Sequence, residues 1–311
     1  MAQIALTFPL IPRRRLVGVA FGAAHSVRRG LGSDVAGTRP YRPGDDVGAI
    51  DWAASARLSS ARDRDEFIVR DRFADEAPRV VALCDRRPGM RLYGHGFPWL
   101  NKADAIALTL DLISSSAFRA RGLFGYLDVA DAAEPYWVPP TSEPQWRNVE
   151  EDVAGRPFTA GPSSVEEGLE FLRLARITLP PGSFVFVVSD LLAPPPGEAW
   201  FSAVEHGWDV VPVVIQDPTW EQSFPDVSGV AIPIREAETG RIATIRLTRA
   251  QAGELRDEHE RRTEDLLDSL AAAGAEPVLV SSCNPEAVLA AFLGWADRRV
   301  HLGHALGVGV A

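Results

Sequence analysis

The run Val80-Val81-Ala82-Leu83-Cys84 stops abruptly at Asp85. A short apolar run bounded by a charged loop reads as a strand covered on both faces, which is the habit of parallel sheets. The pattern recurs at Leu123–Val129, Phe184–Val188, Asp209–Ile215 and Pro277–Val280. Longer segments with helical spacing lie between these runs. Ala105, Ile106, Leu108, Leu112 and Ile113 put one apolar stripe on a helix over 102–119. Ser163 or Ser164 caps a second helix, with Glu166 and Glu167 in its first turn and Leu169, Leu172, Leu174 and Ile177 along it. A short helix spans Ala199–Glu205, Thr248 caps a long one to Ala273, and Glu286–Arg298 forms the last. Strands alternating with helices imply an α/β chain, doubly wound, with a mainly parallel sheet and helices on both faces.

Three stretches depart from that rhythm. Residues 1–78 read as a β-rich N-terminal segment, in which Phe67-Ile68-Val69 is a strand. Residues 229–247 read as an inserted β-hairpin turning at Thr239-Gly240. Pro135–Gly161, rich in Pro and Trp, reads as an irregular excursion or short strand, and 301–311 as a Gly-rich tail. The α/β domain proper is expected over 79–300.

Composition narrows the function classes. The formal net charge of -10 opposes general nucleic-acid binding, because nothing offsets phosphate repulsion. No apolar run approaches the ~20 residues that span a bilayer. The apolar patch Ile4–Ile11 precedes Arg13-Arg14-Arg15, the reverse of a signal peptide. Cys84 and Cys283, both at the ends of apolar runs, look like small buried hydrophobes in a reducing compartment. A cytoplasmic protein that binds neither nucleic acid nor membrane is the expectation. Lys102 is the only lysine, which the base composition of a GC-rich genome explains without any role for it.

A carboxylate just past a strand sits at its carboxyl end, where open α/β sheets place their sites. Asp85 and Asp190 both qualify, and in a parallel sheet they share one edge. Upstream, Tyr41-Arg42-Pro43-Gly44-Asp45-Asp46 carries a strong turn signal, with Pro43 fixing φ and Gly44 supplying the positive φ of a type II turn. Ile50-Asp51-Trp52 and Ser55-Ala56-Arg57 follow, the latter within one helical turn. Asp45, Asp46 and Asp51 with Arg39, Arg42 and Arg57 form either a docking surface or an Arg–Asp network that locks an irregular loop around a buried Trp52.

Gly30, Gly32, Arg39, Tyr41, Pro43, Gly44, Asp45, Asp46, Asp51, Trp52, Ser55, Arg57 and Asp85, in that order, resemble the signature of the domain-of-unknown-function 58 family. The resemblance implies a von Willebrand factor A-like core, and a protein working with a MoxR-type AAA+ ATPase in assembling or maturing other proteins. Many members carry N-terminal membrane helices, which this chain is expected to lack. Von Willebrand A domains hold Mg²⁺ through a D-x-S-x-S loop, a Thr and a later Asp. By that resemblance the loop here is Asp85-Arg86-Arg87-Pro88-Gly89, with Arg87 and Gly89 where serines stand and Asp190 as the later aspartate. Thr159, Ser163 and Ser164 compete for the threonine position. Neither Arg87 nor Gly89 offers a side-chain oxygen to a hard cation. The expectation is a degenerate site without metal or other cofactor, in which Arg86 or Arg87 pairs with Asp190 or Asp85.

The function expected is a non-enzymatic protein-interaction module, an adaptor or co-factor of that ATPase. Its rivals are a cation-dependent von Willebrand A-type binder and a hydrolase using the Asp45, Asp46 and Asp51 cluster. No Ser, His or Cys stands in a base–nucleophile pattern. His301-x-x-His304 is an incomplete ligand set. Trp137, Trp146, Trp200 and Trp220 could serve partners, though large aromatics more often belong to the core.

Overall fold

The computed structural model describes residues 6–13, 35–41, 50–62, 67–72, 77–92, 99–130, 134–174, 179–235 and 241–307. Contacts divide the chain into two units. The smaller holds residues 14–78 with 120–122, and the larger holds the rest.

In the smaller unit, β1 (Val35–Pro40) pairs antiparallel with β2 (Ile68–Arg72), Arg39 lying opposite Val69. Between them runs α1 (Trp52–Arg62). Asp51 starts it: its Oδ1 accepts from Ala54 N at 3.0 Å, the geometry of an N-cap. Ser55 Oγ donates to Asp51 O at 2.7 Å and accepts from Ile68 N at 2.8 Å, so one buried hydroxyl stitches α1 to β2. Trp52 is not the buried anchor expected from the sequence. As the first residue of α1 it is 60% exposed, with its ring edge-on to Phe67 at 6.0 Å. Tyr41 meets the same Phe67 ring at 6.5 Å, and Arg57 Nε bonds Ala53 O at 3.2 Å. The turn with Pro43, Gly44, Asp45 and Asp46 lies outside the described residues.

The larger unit is a six-stranded sheet. Its strands are β3 (Arg79–Cys84), β4 (Leu123–Asp128), β5 (Tyr136–Thr141), β6 (Phe184–Ser189), β7 (Asp209–Ile215) and β10 (Val278–Val280). The order is β10-β7-β6-β3-β4-β5, parallel except for β5 at one edge. On one face, Phe186 packs with Phe8, with Trp295 and with Phe292 of α8 (Pro285–Gly307), which lies beside α2 (Lys102–Arg119). On the other, Leu83 and Val187 pack with Leu169 of α5 (Ser164–Leu174), Trp200 of α6 (Gly197–Glu205) and Leu270 of α7 (Arg249–Ala272). α7 opens with a reciprocal capping box between Thr248 and Gln251. β8 (Ala231–Arg235) and β9 (Ile242–Arg246) form a separate antiparallel pair, whose turn falls outside the described residues.

Two further boundaries are corrected. Residues 6–13 pack with the α/β unit, not with the segment ending at 78. Phe8 stacks 4.6 Å from Phe292, and Arg299 Nη1 reaches Ile11 O at 2.9 Å. Residues 301–307 continue α8 rather than forming a tail, because a glycine inside a helix costs only about 1 kcal/mol and the preceding turns are anchored by Phe292 and Trp295. The 135–161 stretch holds the short strand that the sequence offered there, β5, and adds two short helices, α3 (Glu143–Arg147) and α4 (Glu150–Ala154). Trp146 and Trp200 are core residues, the first edge-on to Phe124 at 4.6 Å, because aromatic rings carry the largest apolar area to bury.

The β4–β5 register slips between Phe124 and Tyr126 at Gly125. A Cβ there would lie 2.7 Å from Val138 O and 2.9 Å from Pro140 N, both backbone atoms that cannot swing aside. Gly125→Ala is expected to push β5 off the sheet edge and cost roughly 1–3 kcal/mol, read as a lower urea midpoint.

Candidate site at the carboxyl edge of the sheet

β3 and β6 are neighbours from which the chain winds in opposite directions, toward β4 on one side and β7 on the other. The loops after them diverge, and this switch point is where open α/β sheets keep a crevice. Asp85 follows β3 and Asp190 follows β6. Both carboxylates are buried.

A carboxylate in such a place needs partners. Asp85 Oδ1 accepts from Arg87 N at 2.9 Å, which turns the chain back toward it. The Arg87 guanidinium then grips Asp85 Oδ2 from Nε at 2.8 Å and Nη2 at 2.6 Å. Ser189 Oγ donates to the same oxygen at 2.7 Å. Nη2 of Arg87 also reaches Asp190 Oδ1 at 3.3 Å. Gly89, in the short 3-10 helix Pro88–Arg91, stands against the other oxygen: a Cβ there would lie 3.5 Å from Asp190 Oδ2. The structure thus brings Asp85, Arg87, Gly89 and Asp190 together.

A second cation completes the cluster. Lys102, the first residue of α2, is fully buried, and its Nζ lies 2.9 Å from Asp190 Oδ2 and 2.6 Å from Glu221 Oε1. The other oxygen of Glu221 accepts from Asp217 N at 2.8 Å. Asp217 caps the following turn through Thr219 N and Trp220 N at 2.8 and 2.9 Å. Sequence reasoning missed Lys102, Asp217 and Glu221. The signal for the first was its being the only lysine; the other two lie beyond β7 with no motif to mark them.

Electrostatics follow from burial. For Arg87, burial opposes the charge, but the Asp85 bond and the carboxylates of Asp85 and Asp190 outweigh it and hold its pKa above the ordinary value. For Glu221, burial raises the pKa and the Lys102 ammonium only partly restores it.

Arg86 turns the other way. Its Nε donates to Tyr126 Oη at 2.9 Å and its Nη2 to Val153 O at 2.8 Å, with its guanidinium 4.9 Å from the Phe158 ring centre. Tyr126 Oη donates to Asp128 Oδ2 at 2.9 Å, and Asp128 is clamped by both arms of Arg156 at 2.9 and 2.8 Å. Beside it, burial pushes the Cys84 thiol up to about 11. Thr159 donates to Ala130 O at 2.8 Å, Ser163 bonds Glu167, and buried Ser164 Oγ has no partner among the described residues.

The residues do not fit a divalent cation. Two fixed positive groups stand among the carboxylates, and Arg87 and Gly89 contribute no oxygens. Among the described residues no group of three or more His, Cys, Asp or Glu is arranged to hold a metal. His301 is on α8, and the side chain of His304 lies outside the described residues.

Two outcomes are expected. Lys102→Met leaves Glu221 buried without its cation and should cost about 3–5 kcal/mol at neutral pH. The raised pKa sets the sign: the penalty grows as pH rises through the folded-state pKa of Glu221 and shrinks once that group is protonated. Urea unfolding at pH 7 and near pH 4.5 reads this directly. For the thiols, a maleimide should modify partly exposed Cys283 in the native protein and Cys84 only on unfolding. The Cys84 contribution to stability should hold below its ordinary pKa and fade as pH climbs toward about 11.

The family model described as "Protein of unknown function DUF58" matches residues 37–266. Among solved structures, the chain is similar to the conserved hypothetical protein BatB from Bacteroides thetaiotaomicron, with 16% identity over 71% of this chain and 99% of that one and a TM-score of 0.39. It is similar to an aerotolerance-related membrane protein from Bacteroides fragilis, with 13% identity, the same coverages and a TM-score of 0.40. An uncharacterized membrane spanning protein from Vibrio fischeri shows 16% identity over 72% of this chain and 98% of that one, at a TM-score of 0.22. No curated protein matches the chain. Among the described residues, no helix is long and apolar enough to cross a membrane. The family match spans well over half of the sequence, and the chain belongs to DUF58, a family of proteins of unknown function.

Proposed function

We propose that this chain is a non-enzymatic protein-interaction module of the cytoplasm, an adaptor or co-factor of a MoxR-type AAA+ ATPase in the assembly or maturation of other proteins. The observation that carries the first half is the filled carboxyl edge. Arg87 and Lys102 saturate Asp85, Asp190 and Glu221. A general base must be free to take a proton, and a nucleophile needs such a base beside it. Ser189 Oγ instead donates to Asp85, already held by Arg87. The ATPase as partner comes from the family resemblance alone.

The test is an affinity capture from native lysate with the tagged chain, in Mg²⁺·ATP and in chelator, with the bound proteins identified by mass. The adaptor reading expects an AAA+ ATPase in the nucleotide condition. It also expects capture to persist when the tagged chain is stripped with chelator beforehand and Mg²⁺·ATP is returned only for the ATPase. Absence of any ATPase, or hydrolytic turnover by the purified chain on esters, phosphoesters or peptides, contradicts the reading.

A further inference from the structure

α5 and α6 lie side by side on one face of the sheet with a groove between them. One part has a volume of about 460 Å³ and an adjoining part, under Pro194-Pro195-Pro196, about 250 Å³; Glu166 and Pro196 line both. The floor is apolar, built by the buried residues Leu169, Ala203 and Trp208. Trp208 Nε1 is already bonded to Leu179 O at 3.0 Å, so its ring adds no unmet polar demand.

The rim has one sign. Glu166, Glu167 and Glu198 are exposed and have no cationic partner among the described residues. Arg173, the one cation lining the groove, is bound to Glu170. An apolar trough between two helices, edged by uncompensated carboxylates, repels acidic peptides, nucleic acid and anionic lipid. It favours an apolar ridge flanked by positive charge. α5 has 11 residues, roughly 16 Å of helix, which matches about three turns of a ligand helix.

The groove is also joined to the carboxyl edge. Its wall is the loop 190–196, and Arg87 Nη1 donates to Ala193 O in that loop at 3.3 Å. Leu191 in the same loop holds φ at +48°, a left-handed conformation unusual for a branched side chain, and its N–H is tied to Ser189 Oγ at 3.0 Å. The same ions that close the carboxyl edge therefore preset one side of the trough.

From this geometry we infer that the α5–α6 groove is a docking site for a basic amphipathic helix of a partner protein. The inference rests on the interaction-module reading and names the surface and the chemistry of the partner segment.

The experiment uses the full chain and a fluorescent synthetic helix with leucines on one face and Lys/Arg on its flanks, followed by anisotropy. Saturable binding is expected, weakening as salt rises. The variant Glu166→Gln/Glu167→Gln/Glu198→Gln changes only exposed residues, so its circular dichroism should match the parent, while its affinity should fall roughly tenfold. A helix of the same apolar face with Glu flanks should not bind. Equal affinity for both helices, or unchanged affinity in the triple variant, overturns the inference. The two readings fail separately. An ATPase captured equally by parent and triple variant removes the groove and leaves the adaptor. Groove-dependent binding of the basic helix, with no ATPase captured, removes the adaptor and leaves the groove.

Discussion

The salt-bridged cluster of Arg87 and Lys102 with Asp85, Asp190 and Glu221 is the constraint on which the larger unit turns. Three carboxylates converge on one edge of a parallel sheet, in a setting too dry to leave them bare. The Born cost of a lone buried ion is of order 20 kcal/mol before relaxation, so a counter-charge is obligatory. A diffusible cation would meet that need only at sufficient concentration. Two cations attached to the chain meet it always, and they fix the loops after β3 and β6 and the start of α2 to one another.

The rest of the edge is arranged around that pairing. The chain bends back after Asp85 because its carboxylate accepts from Arg87 N, which brings the guanidinium round to the second oxygen. Arg86, one residue earlier, faces the opposite side and joins Tyr126, Asp128 and Arg156 in a second paired network. Gln216 Nε2 holds Asp190 O at 2.6 Å, and Met90 Sδ accepts from Asp190 N at 3.1 Å, so side chain and backbone of Asp190 are both fixed. Such over-determination is how a loop keeps the unfavourable φ of Leu191.

Much of this was legible in the sequence, for definite reasons. Strands buried on both faces announce themselves as unbroken apolar runs, so β3, β6 and β7 are legible from the order of residues alone. A carboxylate just past such a strand can only lie at the carboxyl edge, which located Asp85 and Asp190. The rest was hidden because it depends on long-range geometry. Glu221 meets Lys102 across 119 residues, and no local pattern records that distance. Lys102 stands out as an exception in an arginine-rich chain, but base composition accounts equally well for a rare lysine, so its rarity does not mark a site. An ammonium is a compact point charge that three acceptors can surround, unlike a planar guanidinium, and that suits its enclosed place at the head of α2. Trp52 misled for the opposite reason: aromatic size favours burial on average, but its place in the first turn of α1 leaves it outside.

The central claim is that the fixed cations Arg87 and Lys102 neutralise the carboxylates of this edge and leave no place for a divalent ion. Calorimetric titration of the purified chain with Mg²⁺, and then Mn²⁺, tests it most directly. The account predicts no saturable heat up to roughly millimolar metal, since two bound cations oppose a third and the loop lacks hydroxyl ligands. One-to-one binding with a micromolar Kd, abolished by Asp85→Asn, would contradict it.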